Sequence, residues 1–222
     1  MRLIASGRDA DVYDLGDGRV LRRHTDGRPA ATQADVLRYV ATHGYAVPRL
    51  YDASGPDLVL EKVDGPELQQ VLRPWNVARN ARILADLHRR LHLLPPMPGL
   101  DSRFGEPRSL LHLDLHPRNV LMTSRGPVVI DWANAANGPG QADVALMYVI
   151  GKTSRIDGSP VARTVLGLFR ARFLNPFLAA AADADFRRVL PAVAEWRKRD
   201  RNVTPSERAA VDRLLARGTL KR

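Results

Sequence analysis

The feature that most constrains the fold is a change of hydrophobic period near Gly65 and Pro66. Before this point the chain has five short β-favouring runs, and a helical pattern over residues 30–43 follows the third of them. After it, apolar residues recur at three- and four-residue steps, first in residues 76–93 and again from residue 140 onward. The chain is therefore expected to combine a small sheet with a separate, mainly helical part.

We expect an α+β fold made of two lobes. The first lobe is predicted to comprise residues 1–63, with a five-stranded sheet and one helix. The second is predicted to comprise residues 64–222, with an amphipathic helix, two short extended pieces around a turn, and further helices to the end. No internal repeat or low-complexity tract divides the chain further.

Local signals mark the ends of several predicted elements. Asp17 and Gly18 separate two β-favouring runs, and this dipeptide predicts a two-residue type I′ turn in which both residues have positive φ. Gly44 is expected to end the first helix in the left-handed conformation. Thr204 and Glu207, with a proline between them, predict a capped helix start.

Composition limits the chemistry available to the chain. The 222 residues include no cysteine, which excludes disulfides, thiolate metal sites and a cysteine nucleophile. No apolar stretch is long enough for a signal peptide core or a membrane span, so we expect a cytoplasmic protein without a membrane partner.

The net charge of +10 raises the question of nucleic-acid binding. The basic residues are interleaved with acidic ones along helical segments, a pattern typical of a solvated surface, so nucleic acid is a disfavoured partner. Residues 187–222 are the most basic part, with eleven Arg or Lys against four Asp or Glu. Salt-dependent nucleic-acid binding through this region stays an alternative.

Oxygen-bearing side chains concentrate in the middle of the chain. His112, Asp114 and Asn119 lie in one loop, and Asp131 directly follows the apolar run 128–130. Two carboxylates and an amide are hard oxygen donors of the kind that Mg²⁺ takes together with nucleotide phosphates. Phosphoryl transfer needs such a metal clamp and a carboxylate that orients the attacking hydroxyl, so this group predicts a phosphotransferase.

The spacing from His112 to Asn119, joined to Ile130–Trp132, resembles the aminoglycoside phosphotransferase/choline kinase-like family, which has a protein-kinase-like fold. The resemblance implies ATP and Mg²⁺ as cofactors. It also implies that Asp114 is the catalytic base, that His112 braces the catalytic loop, and that Asn119 and Asp131 bind the metal.

The resemblance extends to the first lobe. The loop that contains Gly7 stands where kinase-like folds cover the phosphates, and Val12 would pack on the adenine. Arg22 stands where the family usually has lysine, and Gln33 stands where it usually has the glutamate partner of that lysine. Arg22 can contact phosphates through its larger fork. Its expected partner is either Gln33, through a hydrogen bond, or Asp35, through an ion pair.

Two further segments carry the resemblance. Glu61 and Val63 lie in a stretch similar to the hinge that runs past the adenine, where backbone groups would meet the base. Asp143 lies in residues 138–145, which resemble a Gly-Pro…Asp-x-Ala segment of the family. We expect Asp143 to accept hydrogen bonds from the catalytic loop and to take no direct part in the chemistry.

His88 and His92 stand four residues apart in a predicted helix, a spacing that can hold a metal ion. No carboxylate lies between them in the arrangement that zinc enzymes use, and leucines flank both residues. Packing inside the helical lobe is therefore the favoured interpretation.

The leading hypothesis is an ATP- and Mg²⁺-dependent phosphotransferase with a small hydroxylated acceptor. A protein kinase is an alternative, but only eleven residues separate Asp131 from Asp143, too few for a long activation segment. A catalytically weak nucleotide-binding protein is another, favoured by Arg22 and Gln33. The basic balance of residues 187–222 argues against a polycationic aminoglycoside, and no motif indicates ATP over GTP, a particular acceptor or an oligomeric state.

Overall fold

The computed structural model describes residues 1–7, 9–154, 159–200 and 203–219. The chain forms two compact units. The first unit comprises Met1–Val71, Met97–Leu100 and Pro117–Ala135, and the second comprises Leu72–Pro96, Asp101–His116 and Ala136–Arg222. The lobe boundary at residue 63 stays a prediction.

The first unit is built on a five-stranded antiparallel sheet with one helix, and the predicted order of these elements is confirmed. The strands are β1 (Arg2–Ser6), β2 (Ala10–Asp14), β3 (Arg19–His24), β4 (Leu50–Ser54) and β5 (Asp57–Glu61), arranged in the order β1-β2-β3-β5-β4. Helix α1 (Ala31–Thr42) buries Ala34, Leu37 and Val40 at helical spacing. Gly44 follows this helix with φ of 73°, as its position predicts.

The turn between β2 and β3 corrects the expected two-residue hairpin. The amide of Leu15 donates to the carbonyl of Arg19 at 3.0 Å, so three residues form the loop. Gly16 and Gly18 have φ of 87° and 78°, whereas Asp17 is absent from the positive-φ residues of the described chain. The predicted type I′ turn was wrong because Gly16 supplies the left-handed position that had been assigned to Asp17.

A second hairpin completes the first unit. Its strands are β7 (Val120–Thr123) and β8 (Gly126–Val129), which pair antiparallel with each other. Gly65 permits a close backbone approach here, because a Cβ at that position would lie 2.4 Å from the carbonyl oxygen of Met122. The hairpin is thereby held against the segment that follows β5.

The second unit is mainly helical. Its elements are α2 (Val77–His92), β6 (Ser109–Leu111), β9 (Ala136–Gly138), α3 (Gln141–Thr153), α4 (Pro160–Ala181), α5 (Phe186–Lys198) and α6 (Pro205–Thr219). Helix α2 packs against α4, and α3 packs against α5. Leu111, Leu113, Leu146 and Val193 belong to one buried core cluster. The short strand β9, which pairs with β6, is not apparent in the sequence pattern.

Helix α6 begins as the sequence predicts. The amide of Thr204 donates to the carboxylate of Glu207 at 2.9 Å, and the amide of Glu207 donates to the Thr204 hydroxyl at 3.3 Å. This reciprocal pair is a capping box. Across the described part of the chain, none of the helices has the length and apolar character that crossing a membrane requires.

Candidate active site

A buried polar cluster in the first unit surrounds Gln33. We call it the Gln33 cluster, and its members are Arg22, His24, Gln33 and Asp131. The guanidinium of Arg22 donates through Nη1 to Gln33 Oε1 at 3.0 Å and through Nη2 to Asp131 Oδ1 at 2.8 Å. His24 contacts the same Gln33 oxygen through Nε2 at 3.1 Å. One arginine therefore joins the sheet, helix α1 and the segment after β8.

The structure decides between the two partners expected for Arg22. Gln33 accepts a hydrogen bond from Arg22, as predicted. The alternative ion pair with Asp35 was wrong, since Asp35 is exposed and pairs with Arg38 at 2.8 Å. The reason is helical geometry: Gln33 lies on the buried face of α1, and Asp35 points to solvent two residues later.

Asn119 and Asp131 lie at the same end of the β7–β8 hairpin. The amide of Ile130 donates to the carbonyl of Asn119 at 3.0 Å, which extends the hairpin pairing by one step. Asp131 follows directly, and 40% of its side chain is exposed. Amide and carboxylate oxygens are ligands that Mg²⁺ takes, so the chemistry of these two residues fits the metal that the sequence implies.

The predicted nucleotide loop lies at the turn between β1 and β2. Gly7 donates its amide to the carbonyl of Ala10 at 3.0 Å, which makes the turn tight. Val12 lies in β2 opposite Arg22 of β3 in the antiparallel register. The loop also includes Arg8, which lies outside the described residues.

The predicted hinge follows β5. The amide of Glu61 donates to the carbonyl of Arg49 at 2.8 Å, and its carboxylate pairs with Arg125 at 2.5 Å. Val63 is half-buried and lies beyond the last strand residue. The carboxylate of Glu61 is thus engaged in an ion pair within the first unit. Contact between the backbone of Glu61 and Val63 and the adenine base stays a prediction.

A second buried polar cluster lies in the second unit and surrounds Asp143. We call it the Asp143 cluster: the side chains of His88, His92 and Asp143 with the backbone of residues 112–115. Asp143 accepts hydrogen bonds from the amide of His112 at 2.9 Å and the amide of Leu113 at 2.6 Å. His92 Nε2 lies 3.1 Å from the same carboxylate. The expectation that Asp143 accepts hydrogen bonds from the loop that begins at His112 is confirmed.

The loop is also held on the other side of Asp114. His88 is fully buried, and its Nε2 donates to the carbonyl of Leu115 at 3.1 Å, because a carbonyl oxygen can only accept. His112, Leu113 and Leu115 are buried, whereas Asp114 keeps partial exposure. His116 Nε2 lies 3.5 Å from Asp114 Oδ1. The loop thus presents one carboxylate from a backbone fixed at both sides.

Charge within the Asp143 cluster follows from burial and hydrogen bonding. Burial by itself would raise the pKa of Asp143, but hydrogen bonds from His92 and the backbone, with nearby imidazoles, hold that pKa below its ordinary value. Burial lowers the pKa of His88 to about 3. Asp143 is therefore a buried anion and His88 a neutral ring at pH 7.

His88, His92 and Asp143 place ligand atoms within 4.8 Å of one another, a spacing that also suits a metal ion. The sequence contained no carboxylate between the histidines, and the structure supplies one from helix α3. Both oxygens of Asp143 already accept hydrogen bonds, two from the backbone and one from His92. Hydrogen bonding accounts for this arrangement, and we assign no metal to it.

Two glycines before α3 permit close approaches of the backbone, and one of them lies against the Asp143 cluster. A Cβ at Gly140 would lie 2.6 Å from the ring of His92, and one at Gly138 would lie 2.4 Å from the carbonyl oxygen of Arg103. The Gly-Pro-Gly sequence therefore has a steric reason: it allows the chain to pass close to His92 just before Asp143.

Backbone strain coincides with both candidate aspartates. Phe104, Leu113 and Asp131 are the non-glycine residues with positive φ among the described residues. Leu113, with φ of 56°, immediately precedes Asp114, and Asp131 itself has φ of 63°. For a leucine this conformation costs roughly 1–2 kcal/mol. Hydrogen bonding to Asp143 offsets that strain at Leu113.

Sequence reasoning missed two members of these clusters. The position of His24 was predictable from strand geometry. His24 is two residues after Arg22 in β3, so both side chains lie on the same face of the sheet. For His92 the sequence favoured packing inside the helical lobe over metal binding, and it did not indicate a hydrogen bond to Asp143. Its partner Asp143 is fifty-one residues away along the chain, and no local pattern connects them.

The five-stranded sheet with its helix, followed by a mainly helical unit, defines a protein-kinase-like α+β fold. A model of the phosphotransferase enzyme family matches residues 1–108 and 97–196, and the chain belongs to this family of aminoglycoside phosphotransferases and choline kinase-like enzymes. A comparison with curated protein sequences gives no match.

Solved structures share the fold at low sequence identity. A choline/ethanolamine kinase family protein from Mesorhizobium loti is 17% identical, with 99% of this chain and 86% of that chain covered and a TM-score of 0.62. The ADP-bound aminoglycoside phosphotransferase APH(2'')-Ib is 12% identical, with 96% and 91% covered and a TM-score of 0.61. A gentamicin–APH(2'')-IIa complex is 14% identical, with 100% and 91% covered and a TM-score of 0.64.

Proposed function

We propose that this protein is an ATP-dependent phosphotransferase that moves the γ-phosphate to a hydroxyl group of a small molecule. Asp114 is the catalytic base, His112 braces the loop that carries it, and Asn119 and Asp131 hold Mg²⁺. The proposal extends the family membership to a specific set of residues.

The observation that carries this proposal is the fixed and strained loop around Asp114. Its backbone is hydrogen-bonded to Asp143 before Asp114 and to His88 after it, and Leu113 is kept at φ of 56°. Such strain persists only where the surrounding structure enforces it, and it concentrates at functional sites. A partly exposed carboxylate on this backbone is suited to orient a hydroxyl group and accept its proton.

The metal ligands follow from donor chemistry. Asn119 and Asp131 flank one end of the β7–β8 hairpin, and both offer oxygen. Bound Mg²⁺ would neutralise charge on the transferred phosphoryl group. The chain's own contribution is the Ile130–Asn119 backbone hydrogen bond, which supports the proposal because it keeps both residues at the same end of the hairpin.

The nucleotide is proposed to be ATP, in line with the ADP found in a structural neighbour. Gly7, Val12 and Arg22 lie along β1–β3 and would cover the adenine and the phosphates. The backbone of Glu61 and Val63 would meet the edge of the base. Arg22 is the residue of this set that can bind phosphate by charge.

The acceptor is proposed to be a small hydroxylated molecule. The structural neighbours include proteins named for choline or ethanolamine kinase and a complex with gentamicin. Residues 187–222 carry eleven Arg or Lys against four Asp or Glu, which favours a neutral or anionic acceptor over a polycation.

The test is acceptor-stimulated ADP release from ATP and Mg²⁺, screened over neutral, anionic and cationic hydroxylated compounds. The Asp114→Asn variant is the matched control because it keeps the shape of the side chain and removes its basicity. We expect the variant to lose at least about 100-fold in turnover while its affinity for Mg·ATP changes less than about twofold. Wild-type turnover in this variant would show that Asp114 is not the base.

A second candidate is a nucleotide-binding protein with weak catalysis. The observation that favours it is the neutral Gln33 beside Arg22, where the family usually has an ion pair. The same assay distinguishes the two functions: binding of Mg·ATP without stimulation by any acceptor supports the second candidate. Equally slow ADP release by the wild type and the Asp114→Asn variant, unaffected by any acceptor, would also do so.

A further inference from the structure

The charge balance of the Gln33 cluster differs from that of a lysine–glutamate pair. Arg22, His24 and Gln33 are 8%, 5% and 6% exposed, so all three are buried. Gln33 is neutral, and it contacts both of the other residues through one oxygen. Within the described residues, Asp131 is the carboxylate that pairs with Arg22.

The hydrogen-bond partners fix the orientation of Gln33. A guanidinium has only donors, so the amide group must turn its oxygen toward Arg22. His24 Nε2 contacts that same oxygen, and His24 Nδ1 contacts the carbonyl of Arg28 at 3.0 Å. Gln33 therefore binds both neighbours without adding a charge of its own.

Arg22 uses its two terminal nitrogens for different purposes. Nη1 is bound to the buried amide of Gln33, and Nη2 reaches the carboxylate of Asp131, whose side chain is 40% exposed. A lysine ammonium has one nitrogen and cannot bind two partners through separate nitrogens as a guanidinium does. One side of the guanidinium is thus anchored, and the other faces a partner that solvent and ligands can reach.

We propose that Gln33 and His24 are positioning residues that keep Arg22 anchored through Nη1 without neutralising its charge. Its Nη2 then changes partner, from Asp131 in the free protein to a nucleotide phosphate in the complex. This inference rests on the proposed function, because it takes Asp131 as a metal ligand and nucleotide as the ligand. Arg22 and a metal ion are both cations, so they repel each other when both are bound to Asp131. A bound phosphate supplies the negative charge that allows Arg22 and the metal ion to occupy the site together.

The proposal predicts that glutamate, the family's usual residue at position 33, weakens ATP binding in this protein. In the Gln33→Glu variant a carboxylate would hold Arg22 more tightly and compete with phosphate for its charge. We expect this variant to be at least as stable as the wild type toward urea, and to bind ATP in EDTA about tenfold more weakly. A purely structural role for Gln33 would not produce such opposite changes.

The matched control is Thr32→Glu, which adds the same charge at the neighbouring exposed position of α1. We expect its ATP affinity to stay within about twofold of wild type. Calorimetric titration of all three proteins with ATP, in EDTA and in MgCl₂, gives the comparison. Undiminished ATP affinity in Gln33→Glu, or an equal loss in Thr32→Glu, would overturn the proposal.

A second measurement uses Mn²⁺ alone, followed by electron paramagnetic resonance without nucleotide. The Arg22→Met variant removes the cation that competes at Asp131, so its Mn²⁺ affinity should rise about threefold or more while its ATP affinity falls. Unchanged or weaker Mn²⁺ binding would contradict the exchange of partners.

The failure of this inference can be distinguished from the failure of the proposed function. If the wild type itself binds no ATP, both fail. If the wild type binds ATP and the Gln33→Glu variant binds it equally well, only this inference is rejected.

Discussion

The Gln33 cluster of the first unit and the Asp143 cluster of the second unit each contain a buried charged side chain, but these two charges have opposite signs. Asp143 is an anion with no exposed side-chain surface, and three donors fill its oxygens. Arg22 is a cation whose ionic partner, Asp131, is 40% exposed. A ligand can therefore reach Asp131, the ionic partner of Arg22, whereas the carboxylate of Asp143 is buried away from solvent.

The difference indicates which cluster is static and which can change. A buried, fully hydrogen-bonded anion is costly to disturb, because each donor would lose its acceptor inside the protein. A pair with a solvent-exposed member contributes less to stability and can exchange partners at a smaller cost. We therefore expect mutations in the Asp143 cluster to affect folding, and mutations at Asp131 to affect ligand binding.

The largest expected effect is that of Asp143→Ala. Removing this carboxylate leaves His92 and the amides of His112 and Leu113 without their acceptor, and it removes the contact that offsets strain at Leu113. Breaking a buried charged network of this kind typically costs about 3–5 kcal/mol. Urea denaturation measures the loss, and hydrogen exchange of the peptide that spans residues 109–116 localises it.

The conservative control for this prediction is Asp143→Asn, which keeps one acceptor oxygen. We expect it to lose less stability than Asp143→Ala, and to protect the amides of residues 112 and 113 only in part. If Asp143→Ala unfolded at the same urea concentration as the wild type, the Asp143 cluster would not be the static element described here.

The Asp131→Asn variant tests the other side of the comparison. Asparagine tolerates the positive φ at this position and removes only the charge. We expect Mg²⁺-dependent ATP affinity to fall at least about tenfold, with a change in folding stability below about 1 kcal/mol. Calorimetric titration and urea denaturation of the same preparation give both values.

Asp35→Asn is the matched control for that variant. Asp35 has an ion pair of the same 2.8 Å length with Arg38, and its side chain is 56% exposed, but it lies outside the Gln33 cluster. We expect it to leave ATP affinity unchanged. A loss of stability in Asp131→Asn much greater than that in Asp35→Asn would mean that the Arg22–Asp131 pair is a structural contact.

Local sequence signals predicted those parts of the fold that local forces determine. The strands and α1 follow from side-chain periodicity, and the capping box of Thr204 and Glu207 follows from residue type and spacing. The link between Arg22 and Gln33 was also accessible, because β3 and α1 each show a buried face. The two-lobed α+β architecture followed from the order of these elements, and the protein-kinase-like fold followed from the family resemblance of the segment from His112 to Asn119.

The remaining features depend on contacts between distant residues. Leucine has no preference for positive φ, so the strain at Leu113 results from Asp143, thirty residues further along the chain. Strand β9 has only three residues and exists because β6 pairs with it. In the β2–β3 turn, the choice between Gly16 and Asp17 for the left-handed position depended on the register of the two strands. The site-residue roles stay predictions that the variants above test.

The smallest expected effect concerns the pH dependence of the Asp143 cluster. Burial lowers the pKa of His88 to about 3, against 6.5 for an ordinary histidine. Between these values the unfolded chain binds a proton that the folded chain does not. The stabilisation from neutral His88 is therefore complete above pH 6.5 and is lost progressively as the pH falls toward 3.

The His88→Leu variant isolates this contribution. It loses the hydrogen bond to Leu115 at every pH, which lowers stability by a constant amount, but it has no proton to gain at position 88. Between pH 6.5 and 5.5 we expect the wild type to lose about 1 kcal/mol more stability than the variant. The other histidines are common to both proteins, so their titration cancels in the difference, and Asp143, whose pKa is lowered, titrates below this window.

Urea denaturation of both proteins at closely spaced pH values measures this difference in stability. Parallel stability curves for the two proteins would mean that His88 titrates normally in the folded state, and hence that water reaches the Asp143 cluster as it reaches Asp131 in the Gln33 cluster.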